Sequence, residues 1–132
     1  MPAALEVIDQ RTIAAVEASV YAAGLSTDAG AVLLIELDGP ALVVAQELER
    51  TRGLLAEAGA SRVEVAQDEQ ERERFWRARK GAFGAMGRLA PDLYLYDTVV
   101  PRVKLPEVLE RICGIGDRYG LRLSNVFHAG DG

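Results

Sequence analysis

Short strand-like apolar runs alternate with amphipathic stretches along the whole chain, and this alternation limits the fold more than any other feature. Ala4 to Ile8 is a short apolar lead-in that reads as a weak strand. Asp9 is a plausible N-cap for a helix running through Ala22, with Ile13, Val16 and Val20 on one stripe and Gly24 as its stop. Ala31 to Leu37 is the strongest strand, closed by Asp38-Gly39-Pro40. Ala41 to Ala58 has helical spacing, with Val44, Leu48 and Leu55 on one face. Arg62 to Ala66 alternates like a half-buried strand, and Gln67 to Leu89 reads as a long helix. Leu93 to Val100 reads as a strand, and Leu121 to Phe127 as the last one. Between them lies a regular helix with Pro106 in its first turn and a stripe of Leu105, Val108, Leu109, Ile112 and Tyr119.

Such an order fits either a parallel doubly wound sheet or an α+β plait. Two observations favour the plait. No glycine-rich phosphate loop follows the first strong strand, where Pro40 removes a backbone donor. Leu93-Tyr-Leu-Tyr-Asp-Thr98 also alternates as a sheet with two unlike faces requires. The expected class is therefore α+β: a ferredoxin-like plait, an antiparallel sheet with helices packed on one face. The 132 residues suit one domain, and 49% hydrophobic with 27% charged residues is ordinary globular composition. A net charge of −5 argues against a nucleic-acid partner, which needs clustered Lys and Arg. No apolar run approaches the ~20 residues of a transmembrane segment. A single Cys excludes a disulfide framework and a multi-Cys zinc site, and with no basic leader the expected location is cytoplasmic.

Three local features could carry chemistry. Arg79 lies four residues after Phe75 and four before Phe83, which places it on the aromatic stripe of its helix. A guanidinium there either grips a carboxylate with its planar fork, or snorkels over a core edge and pairs with a structural acid. His128, the only histidine, follows a strand and opens a Gly-Asp-Gly turn that includes Asp131. An imidazole there either binds a metal or moves a proton, or is simply structural. Gly81, Gly84 and Gly87 open one helix face to close approach, with tight packing the plainer explanation. Cys113 reads as a small packing residue.

Several of these residues together resemble a known family. Trp76-Arg-Ala-Arg79-Lys80, Gly84-Ala-Met-Gly-Arg88, Asp97-Thr-Val-Val-Pro101, Lys104-Leu-Pro106 and the terminal Val126-Phe-His-Ala-Gly-Asp-Gly132 resemble the C-terminal domain of FAD-linked oxidases of the glycolate oxidase and D-lactate dehydrogenase type. The resemblance covers nearly the whole chain. It implies a cap domain, residues 1–132, of a flavin-dependent oxidoreductase that converts a 2-hydroxy acid into the 2-oxo acid, with hydride passing to FAD. It implies that Arg79 grips the substrate carboxylate. It further implies that His128 is a catalytic group and a ligand of a divalent metal such as zinc. The family's second histidine and acidic ligand would follow Gly132, and its FAD-binding domain would precede Met1. A single partial domain is therefore expected, truncated and inactive alone, with an unpaired sheet edge that favours self-association. The implied partners are the substrate, the FAD domain of the same parent chain and other oxidase subunits. The rival reading is a small non-catalytic regulatory or ligand-binding module on the same plait, its pocket built around Ser26 to Gly30.

Overall fold

A computed structural model of the chain describes residues 2–130. Its class is α+β. Strand β1 (Ala4–Asp9) leads directly into helix α1 (Gln10–Glu17), and β2 (Ala31–Glu36) leads into α2 (Ala41–Glu57). Helix α3 (Glu69–Met86), a short 3-10 turn at Arg102–Lys104, helix α4 (Leu105–Arg118) and strand β3 (Val126–His128) complete the described elements. The sheet is antiparallel in the order β2-β1-β3, so the first strand of the chain is its centre.

The period-two alternation of β1 decides which residues face the helices. Glu6 and Ile8 are its two buried positions. On the same face, Leu34 and His128 flank Glu6, and Val32 and Val126 flank Ile8. Helices α1 and α3 pack against each other through small residues: Ala15 and Val16 meet Ala78, Ala82, Ala85 and Met86. Small side chains let the two backbones approach closely, and Tyr21 then fills the open glycine face of α3. A Cβ on Gly81 would collide with the Tyr21 ring, and one on Gly84 would sit 3.5 Å from it. The glycine stripe is thus a packing device.

Asp9 joins the parts. One carboxylate oxygen caps α1 by accepting from the Thr12 N–H at 2.9 Å. The other accepts from the Asn125 backbone N–H at 2.6 Å and its side-chain amide at 3.0 Å, which aligns the approach to β3.

Several expected elements are shorter or absent. The first helix stops at Glu17 instead of Ala22. The Ser19 hydroxyl donates to the Val16 carbonyl, and the Glu17 carboxylate accepts from the backbone N–H groups of Ala23, Gly24 and Leu25 at 2.9–3.1 Å. These side chains outcompete the helical ladder and turn the chain. Residues 62–66 and 93–100 are not strands, and the expected strand 121–127 is reduced to Val126–His128. β-propensity expresses itself only where a neighbour completes the ladder, and among the described residues none lies along these stretches. Tyr94 and Tyr96 instead lean on each other, ring centroids 4.8 Å apart, while both remain exposed.

Helix α2 has no buried residue. Val44, Leu48 and Leu55 line a loose cavity of about 560 Å³ shared with β2, Val63 and Val65. The α4 stripe is partly solvated, with Tyr119 70% exposed, and Cys113 is exposed instead of packed. Among the described residues no helix is long and apolar enough to cross a membrane.

Candidate functional site

The two residues singled out by sequence, Arg79 and His128, come together on one carboxylate. Glu6 Oε2 accepts from Arg79 Nε at 2.7 Å, and Glu6 Oε1 lies 2.7 Å from His128 Nδ1. Each partner arrives from a different element for a local reason. Antiparallel register places His128 directly opposite Glu6 on the same face of the sheet. The inward stripe of α3 that buries Ala78 and Ala82 also carries Arg79 over β1. The Glu6 side chain is 9% exposed, against 25% for Arg79 and 38% for His128. The acid forms the floor, and the two nitrogen-bearing groups reach outward from it.

A buried carboxylate is costly unless its charge is paired and its oxygens are satisfied. Both conditions are met here. Nε is committed to Glu6, while no described residue hydrogen-bonds either terminal nitrogen of Arg79. The end-on edge of the guanidinium therefore remains for an external carboxylate. The site is closed at its far side by the 128–130 turn. Arg102 Nη1 donates to the Gly130 carbonyl at 3.2 Å, and Ala129 N–H donates to the Leu5 carbonyl at 2.6 Å. A Cβ on Gly130 would lie 2.7 Å from His128 Nε2, so a larger residue there would displace the ring. Asp131 of the same turn lies outside the described residues.

The sequence reading left open whether Arg79 pairs with a structural acid or serves a ligand. In the structure it pairs with an acid, and that acid also holds His128. Sequence reasoning missed Glu6. The available signal was its position: alternation in Leu5-Glu6-Val7-Ile8 puts Glu6 on the same face as Ile8, an inward place that an acid occupies only with partners. The 560 Å³ cavity beside β2 and a wider groove of about 1120 Å³ along α3 are lined by other residues than these three.

Metal and flavin can be tested against the residues present. Among the described residues no group of three or more His, Cys, Asp and Glu side chains is placed to hold a metal ion. Both Glu6 oxygens already face nitrogen partners, so among the described residues His128 stands as a single ligand, which is too few for a zinc site. The glycine face of α3 at Gly81 and Gly84 is filled by Tyr21. The described residues form neither a complete metal site nor a flavin site.

An α+β unit whose central strand offers a buried acid to an arginine and a strand-end histidine matches one family over its full length. The model for FAD linked oxidases, C-terminal domain, matches residues 1–132, and the chain belongs to that family. The proteins most like it among those compared include glycolate oxidase subunit GlcD of Escherichia coli K12, 49% identical over 132 residues, and GlcD of Bacillus subtilis, 38% identical over 132 residues. All of this chain is covered in both comparisons, but only 26% and 28% of those proteins, so it spans about a quarter of their length.

Proposed function

We propose that this chain forms the substrate-facing part of a flavin-dependent enzyme that oxidises a small 2-hydroxy acid, of the glycolate or D-lactate type, to the 2-oxo acid. One observation carries the reading: Arg79 and His128 sit on the two oxygens of the same carboxylate. In this reading both groups meet one small ligand that carries a carboxylate and a hydroxyl. The terminal nitrogens of Arg79 hold the substrate carboxylate as a planar fork. The substrate hydroxyl then faces the His128 ring, which accepts its proton as the C–H bond gives up hydride. FAD, held by the rest of the parent protein, supplies the hydride acceptor. Glu6 lies beneath both groups and holds each by one oxygen. The relatives are named as subunits, and the proposed partners are accordingly the flavin-binding portion of the parent and further oxidase subunits. Zinc at His128 is not needed for the steps assigned to these residues.

The test is steady-state and single-turnover flavin reduction by glycolate and D-lactate in the complete flavoenzyme. Arg79→Lys keeps the charge but loses the fork, and should lower kcat/KM about 100-fold, mainly through KM. His128→Gln should lower the rate of flavin reduction by about 10² to 10⁴, with a smaller change in KM. Wild-type kinetics in both variants would eliminate the assignment.

A further inference from the structure

We propose that Phe83 sets the size of the acid taken at Arg79: its ring walls the space beside the bound carboxylate and admits 2-hydroxy acids with no more than a methyl group on the reacting carbon. The proposal rests on the functional reading above and deepens it to a narrower class of substrate.

Helix α3 buries Met86 and half-buries Phe75 and Trp76, while Phe83 is 57% exposed. A lone exposed apolar side chain needs no special reason. The position of this one supplies a reason. Phe75 and Phe83 stand four residues to either side of Arg79 on one stripe. Phe75 packs against the core between α1 and α3, and Arg74 covers its ring at 5.4 Å from the centroid. The second cation over a ring in this helix is Lys80, on Trp76. Phe83 has no such contact among the described residues, so its ring is uncommitted.

Residues four apart on a helix have Cβ atoms about 5–6 Å apart, and a helical side chain leans toward the N-terminus over the turn before its own. For Phe83 that direction is toward Arg79. The Arg79 side chain is 25% exposed, so a ligand carboxylate reaches it from the solvent side, where Phe83 is exposed too. The backbone beneath the ring is held in place, because Ala82 and Ala85 are buried against α1. A hydrogen or a methyl group on the reacting carbon fits beside such a wall. A longer alkyl chain has to displace the ring, and one methylene against an apolar wall changes kcat/KM by about 10- to 200-fold.

The test measures kcat/KM for glycolate, D-lactate and D-2-hydroxypentanoate in the complete flavoenzyme. The wild type should prefer both short acids to D-2-hydroxypentanoate by about 10-fold or more. Phe83→Ala should raise the D-2-hydroxypentanoate-to-glycolate ratio about 10- to 100-fold, and Phe83→Trp should lower the D-lactate-to-glycolate ratio about 10-fold. A merely structural ring would change all three acids by one factor and leave the ratios alone. Unchanged ratios in flavin-loaded Phe83→Ala therefore overturn the proposal, and a common fall in all three rates would place the ring against the rest of the parent protein instead. A wild type that oxidises the three acids equally well overturns it without any variant. The two readings fail separately: wild-type kinetics in Arg79→Lys removes the carboxylate anchor, whereas the substrate ratios decide the role of Phe83.

Discussion

Gly81 and Gly53 are both interior residues of helices, yet the same substitution should act on them in opposite directions. Alanine at 81 drives a methyl into the Tyr21 ring, and overpacking of this kind costs about 1–3 kcal/mol. Nothing lies within 4 Å of a Cβ at Gly53, so Gly53→Ala should stabilise by roughly 0.5–1 kcal/mol through helix propensity alone. Urea denaturation of the two variants checks both signs. A third glycine connects packing to chemistry. Gly130→Ala should push the His128 ring from its place, and the expected readout is a slower flavin reduction in the complete flavoenzyme without a comparable loss of stability. At this scale Arg79 was legible, because helical spacing alone sets it on an inward stripe. Its partner was not. Glu6 lies 73 residues away in a strand of only six, and no periodicity relates two residues on different elements.

Elements hold together here through carboxylates placed at their ends. Asp68 caps α3 by a single exposed bond from the Glu71 N–H, a local arrangement worth about 1 kcal/mol. Asp9 caps α1 and also takes both N–H groups of Asn125. Asp9→Ala removes a cap and leaves donors beside β3 without their acceptor, so it should cost about 2–3 kcal/mol, against about 1 for Asp68→Ala. Parallel thermal and urea melts of the two variants measure the difference. The caps also show what could be read in advance. Asp9 marked its helix start correctly, since caps are local chemistry. The alternating stretches at 62–66 and 93–100 misled for the converse reason: a strand exists only with a neighbour, and alternation records which side of a segment is apolar, not whether a partner is present. The premature end of α1 had its cause in Glu17, whose carboxylate captures backbone groups six to eight residues further on.

Across the whole molecule, burial is concentrated between α1 and α3, while the stretch from Leu93 to Leu121 keeps large apolar side chains in solvent. Val99 and Val103 are 84% and 88% exposed. A surface of this kind drives association. The chain should sediment as a concentration-dependent mixture, and lysine at both valines should shift it toward monomer with little effect on the unfolding midpoint. The α+β class was legible at this scale because it follows from the order of segments. The order of strands in space was not, since it depends on pairing between the two ends of the chain. That pairing has a consequence for time. The bond from His128 to Glu6 spans 122 residues, and contacts so far apart in sequence close slowly. During synthesis β1 emerges first and receives its second neighbour last. The proposed site is therefore a late product of folding, so recovery of the Glu6–His128 contact after dilution from denaturant should lag behind the packing of α1 on α3.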